Sequence, residues 1–123
     1  MSQLASIVYF TYNRPEYTKI SLSALKQNEL ASKSEIIIFS DGPKFQNEDK
    51  NKVEQVRNII ENLTGFKKIT LHLRQSNYGL YKNIVEGVTE VLKINKKIII
   101  VEDDCKTSRY FLNFMNDSLN LYE

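Results

Sequence analysis

The strongest constraint in this sequence is an alternation of short β-branched apolar runs with longer stretches whose apolar residues recur every three or four positions. The apolar runs predict four strands, at residues 4–10, 35–40, 68–73 and 97–101. The amphipathic stretches predict four helices, at about residues 15–28, 47–63, 78–93 and 108–121. Strands that alternate with helices of this length are joined by right-handed crossovers. The chain is therefore predicted to be α/β, with three layers in which helices cover both faces of a mostly parallel sheet.

Length and charge narrow the classes of protein to which the chain belongs. Its 123 residues match the size of one domain, which we expect to span residues 1–123. A net charge of +2 provides no broad electrostatic field that would draw the chain onto nucleic acid or an anionic membrane, so no nucleic-acid partner is predicted and any anion site is expected to be local. The apolar runs are too short for a transmembrane segment, and the N-terminus has no leader pattern. A single cysteine agrees with a reducing compartment, and we expect a cytoplasmic location.

Polar side chains follow each predicted strand at its carboxyl end. In open parallel α/β sheets, ligands bind beyond this end of the strands. The polar positions are 11–14, 41, 74–77 and 102–104. Arg14 and Arg74, together with the carboxylates, form a rim that suits a nucleotide diphosphate. Asn77 is expected to open the third helix, whose free N–H groups also favour an anion.

Asp103 and Asp104 stand next to each other at the end of a buried strand. Their repulsion calls for a compensating cation, and Mg²⁺ or Mn²⁺ suits a site with one or two carboxylates. Because adjacent residues on an extended chain point in opposite directions, we expect one to ligate the metal and the other to orient the site. A solvated acidic turn, or a cap of the last helix, explains the pair equally well. Asp41, which precedes Gly42, also has the simpler interpretation of a turn.

Four segments, in this order, resemble the nucleotide-sugar-binding half of a GT-A glycosyltransferase close to family 2. They are residues 10–15 (FTYNRP), 40–42 (SDG), 77–83 (NYGLYKN) and 98–104 (IIIVEDD). Each segment is weakly specific, but the ordered set covers nearly the whole chain. The resemblance implies a glycosyltransferase that binds a nucleotide-diphosphate sugar, usually UDP-linked.

The same resemblance implies roles for individual side chains. Thr11 and Tyr12 line the nucleoside pocket, Asp41 accepts a hydrogen bond from the base, and Arg74 lies near the base or the phosphates. Asp103 lies by the ribose or in the water shell of the metal. Asp104 ligates the Mn²⁺ or Mg²⁺ ion that bridges the diphosphate.

Complete GT-A domains continue well past the acidic motif, where they carry the acceptor pocket and the usual catalytic carboxylate. The resemblance therefore implies an incomplete domain with no identified catalytic base and an unspecified acceptor, either a saccharide or a lipid-linked saccharide. The fourth strand is expected at an edge of the sheet, covered by a second copy of the chain in a homodimer or by the last helix. Two alternatives remain, a receiver-like domain that binds phosphate and Mg²⁺ and a non-catalytic nucleotide-sugar-binding module.

Overall fold

The computed structural model describes residues 3–121 and confirms the α/β prediction. One parallel sheet has the strands β1 (Ser6–Thr11), β2 (Glu35–Ser40), β3 (Lys68–Leu73) and β4 (Ile98–Glu102), in the order β3-β2-β1-β4. The α-helices of the described residues are α1 (Pro15–Lys26), α2 (Glu48–Glu61), α3 (Leu80–Leu92) and α4 (Phe111–Leu121). A short 3₁₀ turn, Ala31–Lys33, precedes β2.

The limits of β2 and β3 agree with the prediction residue for residue, whereas three helices begin later than their apolar spacing suggests. Helix α3 begins at Leu80 rather than at residue 78 because Gly79 has a φ of +83°, which is incompatible with a right-handed helix. Helix α2 begins one residue late, after Asn47, whose φ is also positive. Helix α4 begins at Phe111, where the predicted start is residue 108.

The sheet separates two buried clusters. Ile7, Tyr9 and Ile36 pack on one face with residues of α1, α2 and α4, and Val8 and Phe39 pack on the other face with residues of α3. The layers are thus three helices, the sheet and one helix, within residues 3–121. Both faces of β1 are covered, as its six buried residues show.

Helix α1 buries Leu22 and Leu25, as its apolar pattern predicts, but its other buried residues are polar. The pattern favours Ile20 as a core residue, yet Ile20 is half exposed, while Thr18 and Ser21 are buried. The hydroxyl of Thr18 forms a hydrogen bond with that of Thr11 at 2.7 Å, and Ser21 forms one with the hydroxyl of Tyr9. These buried hydroxyls are therefore satisfied by partners on β1, which allows them to replace an apolar contact.

Strand β4 lies at an edge of the described sheet, as predicted, because its only neighbour there is β1. Its side chains Ile99 and Val101 belong to the same buried cluster as Leu112 of α4. On the opposite face Ile100 is 47% exposed. The last helix thus covers one face of β4 and leaves the other face open, and the homodimer stays a prediction.

Candidate functional site

The candidate site lies where the strand order reverses, at the carboxyl ends of β1 and β4. The chain moves outward from β1 through β2 to β3 and then returns to the other side of β1 as β4. Such a switch point is the usual binding crevice of an open α/β sheet. Here it holds a cavity of about 430 Å³, lined by Phe10, Thr11, Tyr12, Asn13, Arg14, Asp41, Lys44, Asn77, Gly79, Leu80, Asn83, Glu102, Asp103 and Asp104. All the predicted site residues except Arg74 line it.

The two adjacent aspartates have opposite environments. They lie in a turn after β4, closed by a 3.1 Å hydrogen bond from the N–H of Cys105 to the carbonyl oxygen of Glu102, and not on the extended backbone that the sequence suggested. Asp103 is 4% exposed, and its carboxylate pairs with the guanidinium of Arg14 at 2.5 Å and accepts a 3.3 Å hydrogen bond from Thr11. Burial disfavours the charge of Arg14, but the attraction of Asp103 outweighs it and raises the pKa of Arg14. Arg14 therefore compensates Asp103, while Asp104 is exposed in the cavity wall.

The carboxylates of the cavity fit a metal site that is completed by water and substrate oxygens, but not one formed by protein side chains alone. The residues described here contain no group of three His, Cys, Asp or Glu side chains placed to hold an ion. A cage made by protein ligands alone is therefore not formed. Asp104, with Glu102 beside it in the lining, fits an ion that keeps water ligands and takes its other oxygens from substrate phosphates. Mg²⁺ and Mn²⁺ are such ions, and Asp104 as their ligand stays a prediction.

Asp41 is 2% exposed and forms a network with the segment that precedes α3. Its Oδ1 accepts hydrogen bonds from the backbone N–H of Gly42 at 2.9 Å and of Tyr78 at 2.8 Å. Its Oδ2 accepts hydrogen bonds from the N–H of Gly79 at 3.1 Å and from the side-chain amide of Asn77 at 3.2 Å. Four donors thus match the four lone-pair positions of the carboxylate. A nucleotide base read by Asp41 has to replace one of these donors.

Gly42 is required by the close approach of two loops above the sheet. A Cβ atom at this position would lie 2.6 Å from the carbonyl carbon and oxygen of Ser76. Asn77 also donates to the carbonyl oxygen of Gly42 at 2.9 Å. The Asp-Gly pair therefore does more than turn the chain, because it joins the end of β2 to the entrance of α3.

Arg57 on α2 is a contributor to this rim that the sequence pattern did not single out. Its guanidinium donates to the hydroxyl of Ser40 at 3.1 Å and to the carbonyl oxygens of Ser40, Asp41 and Arg74, the last at 2.6 Å. Burial lowers the pKa of Arg57, and the charge of Asp41 partly opposes this effect. A signal was present, since Arg57 lies four residues after the buried Val53 and three before the buried Ile60, on the buried face of α2.

Arg74 lies next to the cavity without being part of its lining. Its guanidinium lies 4.9 Å from the ring centroid of Phe39 and 4.6 Å from that of Tyr78, and its Nε donates to Asn83, a lining residue, at 3.2 Å. Its Nη2 is buried and has no hydrogen-bond partner among the described residues. The contact of Arg74 with the base or the phosphates stays a prediction.

Asp49 in the first turn of α2 fixes the outer edge of the cavity. It is 9% exposed and accepts hydrogen bonds from the hydroxyl of Tyr12 at 2.6 Å, the amide of Asn13 at 2.7 Å and the N–H groups of Lys44 and Phe45. Burial favours the neutral acid, but these donors outweigh it and lower the pKa of Asp49 to about 2. Burial and the bond to Asp49 raise the pKa of Tyr12 to about 12. From sequence, Asp49 looks like an ordinary acidic residue at a helix start.

Changing Asp49 to asparagine is expected to lower the free energy of unfolding at pH 7 by about 1–3 kcal/mol, because charge-assisted bonds to Tyr12 and Asn13 are weakened. In the parent, the folded-state pKa is depressed from 3.8 to about 2. The stabilisation is therefore complete above about pH 4 and is lost as the pH falls through 2. Urea unfolding at pH 7, 4 and 2 should show the parent converging on Asp49→Asn in acid. Glu54→Gln, an exposed change on the same helix, serves as control and should follow the parent at every pH.

No family model and no curated protein matches the chain. Among the helices in the part of the chain that the structure describes, none has the length and apolar character needed to cross a membrane. The function is therefore inferred from the side chains that converge on the cavity.

Proposed function

We propose that this chain binds a nucleotide-diphosphate sugar, UDP-linked, as the donor-binding part of a GT-A-like glycosyltransferase. One observation carries the proposal. The ends of β1, β2 and β4 and the entrance of α3, the segments of the resemblance, meet at one cavity of about 430 Å³ at the switch point of the sheet. Aromatic, amide, cationic and carboxylate side chains all line it, and together they match the base, the phosphates and a counter-ion of such a donor.

The nucleoside is assigned to the side of the cavity formed by Thr11 and Tyr12. Tyr12 is suited to stack on a base because Asp49 fixes its hydroxyl, and base–aromatic stacking contributes about 1–3 kcal/mol. Asp41 is assigned to the edge of the uracil. The amide of Asn77 is the donor most easily replaced there, since it is a side chain and makes the longest of the four bonds, 3.2 Å.

The diphosphate is assigned to Arg14, which pairs with Asp103, and Lys44 brings a second positive charge to the lining. Leu80 at the first turn of α3 also borders the cavity, and no side chain caps this turn, so its N–H groups favour an anion. A Mg²⁺ or Mn²⁺ ion held by Asp104 would neutralise charge on the leaving nucleoside diphosphate when bound. The acceptor, a saccharide or a lipid-linked saccharide, has no residue assigned to it.

The strand order argues against the receiver-like alternative. Receiver domains have the flavodoxin-like order 2-1-3-4-5, whereas this sheet has the order β3-β2-β1-β4, as in the dinucleotide-binding fold. The acidic pair here follows the edge strand β4. A non-catalytic nucleotide-sugar-binding module would use the same cavity, and only product formation from a labelled donor separates it from an enzyme.

Calorimetric titration of the chain with UDP, GDP and dTDP, each with and without Mn²⁺, tests the proposal. We expect UDP to bind best and at least tenfold more tightly with Mn²⁺, because two phosphates beside Asp103 and Asp104 need an added positive charge. Titration with inorganic diphosphate and Mn²⁺ measures the affinity that the phosphates and the ion provide without the nucleoside. If none of the three nucleotides binds, or if inorganic diphosphate binds as tightly as UDP, the nucleotide-binding proposal is wrong.

A further inference from the structure

The amino ends of the strands, opposite the candidate site, carry a concentration of positive charge. Two adjoining cavities of about 630 and 330 Å³ lie there and share Ser6 and Asn95 in their lining. Their charged lining residues are Lys33, Lys67, Lys68, Lys96, Lys97 and Glu35. This set, here called the basic edge, has a net charge of +4, whereas the whole chain has a net charge of +2. The remainder of the molecule is therefore net negative.

The fold itself creates the basic edge, because parallel strands present their amino ends at the same side of the sheet. Lys33 ends the 3₁₀ turn before β2, Lys67 and Lys68 stand at the start of β3, and Lys96 shortly precedes β4. Lys68 lies 3.7 Å from Glu35, and Lys97 donates to Asn120. Lys33, Lys67 and Lys96 are exposed and form no ion pair with any residue in the range 3–121.

An aliphatic side chain projects from the same surface. Ile94, which follows α3 and lines the smaller cavity, is 86% exposed. Lys93 and Lys96 flank it in the sequence, and Leu92 is 49% exposed nearby in the chain. The outer surface of a nucleic-acid duplex is mostly charged phosphate and sugar, whereas the interface of a lipid bilayer offers both phosphates and apolar chains. The combination of lysines with a projecting isoleucine therefore favours a membrane over a nucleic acid.

We propose that the basic edge docks on the surface of an anionic membrane, with Lys33, Lys67 and Lys96 at the lipid headgroups and Ile94 at the top of the acyl chains. The charge distribution of the molecule supports one orientation. Glu102, Asp103 and Asp104 lie at the carboxyl ends of the strands, so the field of the membrane repels the end that holds the candidate site and attracts the basic edge. This inference does not depend on the identity of the ligand in that site.

Vesicle sedimentation of the whole chain tests the proposal. The probes are vesicles of phosphatidylcholine alone and of equimolar phosphatidylcholine and phosphatidylserine. We expect binding to the anionic vesicles only, weakened by added salt. Because each lysine near an anionic surface contributes about fivefold in affinity, K33Q/K67Q/K96Q should bind about 100-fold more weakly. Ile94→Ser should bind several-fold more weakly at the same charge.

The matched control is K19Q/K50Q/K106Q, which removes three exposed lysines outside the basic edge. It should keep most of the vesicle binding, and both triple variants should keep the nucleotide affinity of the parent, so that a failure here is distinct from a failure of the proposed function. Equal binding to neutral vesicles, or an equal loss in the two triple variants, would overturn the proposal. So would tighter binding to duplex DNA than to the anionic vesicles, with no effect of Ile94→Ser.

Discussion

Replacing Asp41 with alanine is expected to lower the free energy of unfolding by about 3–5 kcal/mol, although Asp41 lies in a loop rather than in the apolar core. The change leaves the N–H groups of Gly42, Tyr78 and Gly79 without their acceptor. Nearby Arg57 also loses the negative charge of Asp41, which stabilises the charged form of its guanidinium. Urea unfolding followed by circular dichroism measures the loss.

Two further substitutions show whether the carboxylate itself is responsible. Asparagine has nearly the same volume as aspartate, but its amide nitrogen is a donor and cannot accept the hydrogen bonds that reach one of the two carboxylate oxygens. We therefore expect Asp41→Asn to lose most of the same stability. Asp104→Asn changes an exposed carboxylate of the same cavity and should cost less than about 0.5 kcal/mol. If Asp41→Ala unfolds at the same urea concentration as the parent, the four-donor network does not stabilise the protein.

Asp104→Asn is expected to remove most of the gain in UDP affinity that Mn²⁺ provides, a loss of tenfold or more. The reason is that one charge-assisted contact to an ion is worth about 1.5–3 kcal/mol, and Asp104 is the exposed member of the acidic pair. Calorimetry with and without Mn²⁺ separates this loss from any general weakening, since without the ion the variant should bind UDP as tightly as the parent or more tightly, because one carboxylate that repels the phosphates is removed.

The control for this variant is Asp117→Asn, which removes an exposed carboxylate from α4. It should leave the response to Mn²⁺ as in the parent. Equal affinity of Asp104→Asn and the parent for UDP in Mn²⁺ would show that Asp104 is not the ligand. In that case Glu102, the other carboxylate beside it in the cavity wall, becomes the residue to change.

The strands, and the convergence of polar strand ends on one cavity, were predictable because they depend on local patterns. A run of isoleucines at 36–38 is buried on both faces wherever the sheet places it, and polar residues after each strand reach the same rim in any parallel sheet. The opposite environments of Asp103 and Asp104 were expected, but for a reason that proved wrong, because the two residues occupy a turn after β4 rather than an extended backbone.

What the sequence could not provide are contacts between distant segments. The bonds from Asp41 to Tyr78 and Gly79 span 37 and 38 residues, and no local pattern links these positions. The position of the Arg74 side chain, after β3, depends likewise on the ring of Phe39 on β2. The burial of Thr18 in place of Ile20 depends on a hydroxyl partner on β1. Each of these features is decided by which polar group finds a partner, and apolar periodicity carries no information about that.

In the proposed donor complex, Arg14 is a cation for which two anions would compete, the carboxylate of Asp103 and the diphosphate. The side chain of Arg14 is 48% exposed, whereas that of Asp103 is only 6% exposed. A diphosphate that drew Arg14 toward itself would leave a buried carboxylate uncompensated, and the crevice would then favour a further positive charge. Affinity for the anion and affinity for a cation would therefore rise together, and this coupling would be reciprocal. A titration with the diphosphate alone, or with the metal ion alone, would therefore underestimate the affinity of the site for the two ligands together.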